Sequence, residues 1–421
     1  MTSFMQLILA LAVIIVAAKI SGYISYSLGQ PSVLGEIVVG ILLGPSVLDV
    51  FHLPYFSDGH LSTMINDLAE LGVLLLMFIA GIDLHLKDLA QASKGAILAG
   101  TIGMIIPLLL GMGTGMAFDM EITHALFLGL TLSATSVSIS AQTLRELNAI
   151  RSRVGITMLG AAVIDDILVV LGLSVFTALI LSDGSAGWGQ VAQIAVSMVL
   201  FLIFTSLIGY FLLPKFTRFI DRLPISQGLA AFTFVLILLY GWLAEAWGNM
   251  AAITGAFLAG LWLSRSPLRE RISSSISVLA YGVFVPIFFI NIGLSANLRN
   301  VTGGFVWLLV VMTVIAIVGK LLGAGLGAKL SGFTNRESLQ LGVGMMSRGE
   351  VGLIVAAIGS STGFISQDYF SAVVGVVIIT TLLTPPSLRF LFAKTEPKEN
   401  IKEDETKKSE TDSQLKQGEE S

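Results

Sequence analysis

Two neighbouring carboxylates interrupt the stretch that decides the fold, Gly160-Ala161-Ala162-Val163-Ile164-Asp165-Asp166-Ile167-Leu168-Val169-Val170. The surrounding apolar run is about 25 residues long, which is enough to cross a bilayer as a helix. A carboxylate at the centre of a membrane helix costs on the order of 3 kcal/mol, so such an acid is a candidate for ion or proton handling. Consecutive helical residues point about 100° apart, so Asp165 and Asp166 need separate partners or a shared cavity.

The composition of the whole chain is that of a membrane protein. Hydrophobic residues make up 54% of its 421 residues and charged residues only 12%, against roughly 25% charged residues in soluble domains. Cysteine is absent, which excludes disulfides and cysteine catalysis, and the four histidines lack the spacing of a metal site. We therefore expect an all-α polytopic membrane protein that is not an enzyme, needs no cofactor and binds no nucleic acid.

Charged and Pro/Gly-rich breaks divide the chain into apolar segments of spanning or nearly spanning length. There are 13, with approximate limits 4–26, 31–50, 66–84, 95–117, 122–143, 151–181, 188–213, 226–246, 250–264, 273–294, 303–330, 335–360 and 367–392. Basic residues collect on alternate loops and leave Arg299 alone on the opposite side. By the positive-inside rule, the N-terminus lies outside and the C-terminus in the cytoplasm, in a plasma (inner) membrane.

The formal charge of −4 belongs to the end of the chain. Residues 395–421 hold nine acids and five lysines, which leaves 19 of each sign in the first 394 residues. This end has almost no apolar residue and cannot bury enough surface to fold alone. The sequence predicts a membrane domain of residues 1–394 followed by a disordered cytosolic tail, 395–421.

Small residues recur with one spacing in two distant segments: Gly35, Gly40 and Gly44 in the second, and Gly255, Gly260 and Ser264 in the ninth. The third and tenth segments likewise share a Gly-Val pair with a phenylalanine six residues after the glycine. Seven crossings separate the equivalents, and an odd number turns the second copy upside down. The pattern therefore predicts an inverted repeat, with segments two to six repeated as nine to thirteen.

The fifth and twelfth segments are the least helix-like. The fifth carries six hydroxyl side chains, among them Thr135 and Ser136, and the twelfth is rich in glycine around Arg348 and Glu350. Hydroxyls compete for backbone hydrogen bonds and glycine loosens a helix, so we expect a break within the membrane in both. Broken helices are tolerated where they line a cavity or are buried in protein. Their half-helix ends would lie beside the carboxylates.

Lys320 lies near the middle of its apolar segment, too deep to reach water easily, and needs a carboxylate partner. A buried ion pair is a poor stabiliser, which favours a site where a cation and protons compete for the same acids. Hydroxyls and freed carbonyls around Thr135 and Ser136 would complete an oxygen ligand set for a monovalent cation. For Arg348 and Glu350, mutual neutralisation that braces the unwound segment is an equally good interpretation.

Several motifs together resemble the bacterial NapA-type sodium/proton antiporters, in the electrogenic two-aspartate branch of the monovalent cation:proton antiporter superfamily. The similarity covers residues 5–392. It rests on Asp165-Asp166 in its Gly-Ala-Ala-Val-Ile context, Gln30-Pro31 before Gly35-Glu36, Ala134-Thr135-Ser136-Val137, Gly319-Lys320, and Arg348-Gly349-Glu350 before Val351-Gly352-Leu353-Ile354-Val355-Ala356.

The resemblance implies an NhaA-like fold with two broken, crossing helices. A core domain (mainly 66–181 and 273–392) would move across the membrane like an elevator. A dimerisation domain (mainly 4–50 and 188–264) would stay fixed, which implies a homodimer.

The resemblance also implies roles for the site residues. Asp166 would be the principal cation and proton carboxylate, with Na⁺ held at Asp165 and Asp166, while Asp165 pairs with Lys320. Thr135 and Ser136 match the unwound ligand region, and Glu350 and Arg348 have supporting roles. The implied function is electrogenic exchange of Na⁺ or Li⁺, with K⁺ as a further candidate, for H⁺.

Other functions fit part of this pattern. A K⁺/H⁺ antiporter, or a cation channel or sensor on the same fold, shares these features but differs in the ion or in coupling. An intramembrane aspartyl protease takes its two acids from separate helices so that they flank one water. An organic-anion symporter would have no use for an Asp-Asp-Lys set.

Overall fold

The computed structural model describes residues 2–53, 55–56, 59–84, 86–176, 187–295, 303–361 and 363–393, and the predicted tail lies outside them. Helices are the regular secondary structure of these residues, and no strand occurs among them. The helices are α1 Ser3–Ser27, α2 Ser32–Leu43, α3 Leu61–Asp83, α4 Leu86–Ala117, α5 Ile122–Ser133, α6 Ser138–Glu146, α7 Arg153–Phe176, α8 Gly187–Phe211, α9 Leu213–Asp221, α10 Gly228–Ala246, α11 Ala252–Leu263, α12 Arg269–Leu279, α13 Val285–Leu294, α14 Gly303–Leu330, α15 Asn335–Gly344, α16 Glu350–Ser361 and α17 Gln367–Phe392. A π-helical turn, Ala280–Phe284, joins α12 to α13.

Ten stretches of the described residues are long and apolar enough to cross a membrane. The apolar helices α2 and α11 are shorter, with 12 residues each. The prediction of an all-helical polytopic membrane protein is confirmed. A total of 13 crossings additionally requires α2, α11 and the interrupted stretch 335–361 to span, and this number stays a prediction.

Both predicted interruptions are present. The helix that begins at Ile122 stops at Ser133 and resumes at Ser138, and the helix that begins at Asn335 stops at Gly344 and resumes at Glu350. Each break lies in the middle of a stretch that would otherwise be one long helix. The two breaks therefore place four half-helix ends inside the apolar part of the molecule, where their unpaired backbone groups need partners.

The helices pack into two bundles. The first bundle contains α1–α3 and α10–α13, the second contains α4–α7 and α14–α17, and α8 contacts α7 of one and α11 of the other. The sequence placed 66–84 and 273–294, which form α3 and α12–α13, mainly with the second group. Their packing corrects that assignment, because α3 lies against α11 and α13 lies against α2.

Glycine explains why these helices belong together. A Cβ placed on Gly40 of α2 or Gly293 of α13 would lie between 2.3 and 2.5 Å from a backbone atom of the other helix. Gly260 of α11 and Gly81 of α3 make the corresponding contact, at 2.1 and 2.2 Å from a carbonyl oxygen. Only a residue without a side chain permits such an approach. Gly40 and Gly260 are also equivalent positions in the predicted repeat.

The second bundle is built around the contact between α4 and α14. A Cβ on Gly323 or Gly327 of α14 would meet a carbonyl oxygen of α4 at 2.7 and 2.4 Å. Close backbone approach at small residues is a usual way for membrane helices to associate. This contact fixes the position of α14, and with it the depth of Lys320, against the rest of the bundle.

Candidate ion-binding site

Asp165 of α7 is the carboxylate partner that Lys320 of α14 requires. The lysine Nζ donates a hydrogen bond of 2.7 Å to Oδ1 of Asp165, and both side chains are fully buried. Among the described groups, Oδ2 of Asp165 has no hydrogen-bond partner. The pair therefore leaves one buried carboxylate oxygen with unused acceptor capacity, and this oxygen could serve as a cation ligand.

Asp166 occupies a different side of the same helix, as its position one residue further along requires. It is 8% exposed, against 0% for Asp165, and it lies within electrostatic range of Lys320. The two acids thus have different surroundings. Asp165 is fully buried against the lysine, whereas Asp166 keeps a small exposed surface.

The two interrupted segments cross each other at Ser136 and Ser347. The Ser136 backbone N–H donates to the Ser347 carbonyl at 2.9 Å, and the Ser347 hydroxyl donates to the Ser136 carbonyl at 2.6 Å. A Cβ on Gly349 would lie 2.5 Å from the Ser136 side chain. The Ser140 hydroxyl donates to the Gly344 carbonyl at the end of α15. These bonds satisfy backbone groups that the breaks leave unpaired.

The structure brings this crossing next to the helix that carries the two acids. Val169 of α7, one turn after Asp165, belongs to the same buried apolar cluster as Ala134 and Val351. The Thr135 side chain is buried, and its Oγ1 has no hydrogen-bond partner among the described residues. The Ser136 hydroxyl lies 3.1 Å from that of Ser138. Hydroxyl oxygens and carboxylates of the predicted ligand set are therefore in one buried region.

Arg348 holds the negative end of α5 in place. Its Nη1 donates to the Ala134 carbonyl at 2.9 Å, and its Nη2 donates to the Ala316 carbonyl of α14 at 2.8 Å, one turn before Lys320. A cation at a helix C-terminus offsets the partial negative charge of the unpaired carbonyls. Arg348 therefore braces the crossing through backbone carbonyls, while its mutual neutralisation with Glu350 stays a prediction. The side chain of Glu350 lies outside the described residues.

The sequence did not predict two hydrogen-bond partners of Arg348. The Arg348 backbone N–H donates to the Thr380 hydroxyl at 3.1 Å, and its carbonyl accepts from the Thr381 hydroxyl at 3.0 Å. Both threonines lie in α17. The signal that could have found them is a Thr-Thr pair inside a long apolar run, because buried hydroxyls in a membrane helix need backbone or side-chain partners.

A cavity of about 280 Å³ reaches the crossing from the gap between the two bundles. Its rim carries the exposed side chains of Asn66, Glu70 and Glu245 from the first bundle, and its inner end is lined by Arg348 and Gly349. Acidic groups at the rim raise the local concentration of cations. The crossing is thus accessible from one side of the molecule.

Broken helices that cross beside buried acids and one buried lysine define an ion-coupled membrane transporter. Comparison with known sequences gives the family. The pattern of the family described as "Sodium/hydrogen exchanger, transmembrane" matches residues 10–394. The chain belongs to the sodium/hydrogen exchanger family.

Individual relatives are similar in sequence to this chain along nearly their full length. The chain is 38% identical over 382 residues to the Na(+)/H(+)-K(+) antiporter GerN of Bacillus cereus, covering 91% of this chain and 95% of the relative. It is 34% identical over 390 residues to a Na(+)/H(+) antiporter of Enterococcus hirae, covering 93% and 99%. The structure of the sodium proton antiporter MjNhaP1 from Methanocaldococcus jannaschii superposes with a TM-score of 0.68 over 93% of this chain and 99% of that one. At 16% identity this last likeness shows the fold alone.

Proposed function

We propose that this protein is a secondary active antiporter that exchanges a monovalent cation, first of all Na⁺ or Li⁺, for H⁺. The observation that carries the proposal is the fully buried Lys320–Asp165 pair with Asp166 beside it, in a member of the sodium/hydrogen exchanger family. The relatives named as Na⁺/H⁺ antiporters support Na⁺ as the cation. K⁺ is the second candidate, because GerN carries K⁺ in its name.

The site residues exchange protons for the cation in a simple cycle. In the proton-loaded state Lys320 is charged and bonded to Asp165, while Asp166 holds a proton. An arriving cation takes oxygen ligands from Asp165 and Asp166, with Thr135 and Ser136 completing the set, and the protons of Asp166 and Lys320 leave. Because deprotonated acids bind the cation, exchange increases as pH rises. Two protons against one monovalent cation make the transport electrogenic.

The wider architecture follows the NapA-type branch of the family. Thirteen crossings would place the N-terminus outside and the C-terminus in the cytoplasm of the plasma membrane. An NhaA-like inverted repeat is supported by the matched glycine contacts of α2 with α13 and of α11 with α3. The second bundle, which holds both interruptions and the acids, would be the moving core, and the first bundle would form the homodimer.

Dissipation of a pH gradient by the purified protein in liposomes tests the proposal. Na⁺, Li⁺ and K⁺ are added separately, with the membrane potential either free or clamped. We expect Na⁺ and Li⁺ to drive proton movement, and a free opposing potential to slow it. Cation flux without proton movement would identify a channel instead, and proton movement with K⁺ alone would select the second candidate.

A further inference from the structure

The crossing is accessible from one side of the molecule and closed from the other. A second cavity, of about 640 Å³, lies on the far side of the site between α1 and α2 of the first bundle and α6 and α17 of the second. Lys19, Glu36 and Glu146 line it. None of the described residues that line it belongs to the interrupted stretches 134–137 and 345–349. Protein therefore separates this cavity from the site.

Glu146, the last residue of α6, joins the two bundles at the edge of this second cavity. Its Oε2 accepts a hydrogen bond of 2.7 Å from the Ser32 backbone N–H, and its Oε1 accepts one from the Ser32 hydroxyl. Ser32 is the first residue of α2, so the carboxylate caps a helix N-terminus of the other bundle. Gln142, one turn earlier, donates to the same carboxylate at 2.8 Å and orients it.

The neighbouring Arg145 makes a second set of contacts with the first bundle. Its Nη1 donates to the Tyr281 hydroxyl at 2.6 Å, its guanidinium lies 4.7 Å from the centre of the Tyr281 ring, and its Nε is 3.7 Å from the Asp83 carboxylate. Tyr281 lies in the π-helical turn, where the Lys19 Nζ donates to its carbonyl at 2.7 Å. The acceptor for Arg145 is thus itself held in place.

We propose that Arg145 and Glu146 form a gate, here termed the α6 clamp, that closes the Glu146 side of the site while the Glu70 side is accessible. The proposal rests on the proposed antiport by relative movement of the bundles. Two adjacent residues of the second bundle make charge-assisted bonds to α2, α3 and the π-helical turn of the first. Such bonds are stronger than neutral ones and must break when the bundles slide. The clamp therefore favours the state seen in this structure.

The absence of cysteine from the chain makes the gate directly measurable. Ala141 is buried and lies one turn before Arg145 on the same face of α6, towards the crossing. Ala251 lines the cavity on the Glu70 side. Ala141→Cys and Ala251→Cys, each alone in the otherwise unchanged chain, report access when a membrane-impermeant thiol reagent is applied to one side of proteoliposomes.

Release of the clamp should change the two reporters in opposite directions. With Arg145→Gln and Glu146→Gln together, we expect the cysteine at 141 to react about tenfold faster from the Glu146 side, and the cysteine at 251 more slowly from its own side. Asp221→Asn with Arg271→Gln is the matched control, since this 2.7 Å ion pair joins α9 to α12 and does not join the two bundles. It should leave both rates unchanged.

Milder variants protect the test against misfolding. Tyr281→Phe removes only the hydroxyl that Arg145 holds, and Ser32→Ala only one of the two bonds to Glu146, so each should raise labelling at 141 several-fold. Unchanged labelling at 141 in these variants, in proteoliposomes that still exchange cations for protons, would overturn the gate. If the single-cysteine proteins that carry no clamp substitution exchange no cations for protons, that result would instead count against the proposed antiport.

Discussion

At the scale of single residues, the site depends on how differently two adjacent aspartates are surrounded. Asp165 is fully buried and bonded to Lys320, whereas Asp166 keeps 8% of its surface exposed. One carboxylate therefore holds the lysine, while its neighbour keeps a small exposed surface. The sequence predicted the lysine partner, because a lysine too deep to snorkel needs an acid. Helical spacing alone did not distinguish the two aspartates, since it shows only that they face different ways; the family resemblance assigned Asp165 to the lysine and Asp166 to the ion.

Removing one member of the buried pair should destabilise the protein more than removing both. Lys320→Gln leaves Asp165 as an unpaired buried charge, a change worth about 3–5 kcal/mol in known cases. Asp165→Asn together with Lys320→Gln removes both charges and should recover most of the loss. Thermal unfolding in detergent measures both the loss in the single variant and its recovery in the double variant. Equal stability of the single and double variants would contradict the pairing.

At the scale of elements, the crossing of the two interrupted segments organises the second bundle. Its position was predictable from the hydroxyls of one segment and the glycines of the other, because both weaken a helix. The contacts that hold the crossing together were not predictable from the sequence. Arg348 bonds to Ala134 and Ala316, which are distant in the sequence and have no polar side chain to mark them. Carbonyl acceptors of this kind become visible only when the chain has folded.

A single methyl group should disturb the crossing. Gly349→Ala would place a Cβ 2.5 Å from the Ser136 side chain, so the two segments must separate, and overpacking of this kind typically costs about 1–3 kcal/mol. We expect cation-driven proton flux in liposomes to fall at least tenfold, because ligand positions near Thr135 and Ser136 move. Gly113→Ala in α4, where a Cβ meets nothing within 4 Å, is the matched control and should retain full flux. Normal exchange in Gly349→Ala would show that the crossing tolerates separation.

At the scale of the whole molecule, the sequence predicted the helices better than their partners. The apolar segments correspond closely to the helices described, apart from α9, whose basic residues at 215 and 218 made it look like a loop. The assignment of α3 and α12–α13 to the second group was wrong. The packing partners of these helices depend on close backbone contacts at Gly81 and Gly293. The hydropathy of a segment does not indicate such contacts.

The two matched glycine contacts allow a test of the repeat. Gly40→Val in α2 and Gly260→Val in α11 both push a side chain into a carbonyl group of the helix opposite, at 2.3 and 2.1 Å. If the two halves are equivalent, both variants should lower the unfolding temperature to a similar extent. Thermal unfolding compares them directly, with Gly113→Ala again as the control. A severe effect in one variant and none in the other would argue against equivalent packing.

The central claim is that a cation and protons compete for the carboxylate of Asp166. The most direct measurement is Na⁺-driven proton flux in proteoliposomes for Asp166→Asn, which keeps the size of the side chain and removes its charge, beside Asp221→Asn as a control outside the site. We predict that flux is abolished in Asp166→Asn and preserved in the control. Normal Na⁺-driven proton flux with asparagine at position 166 would contradict the account.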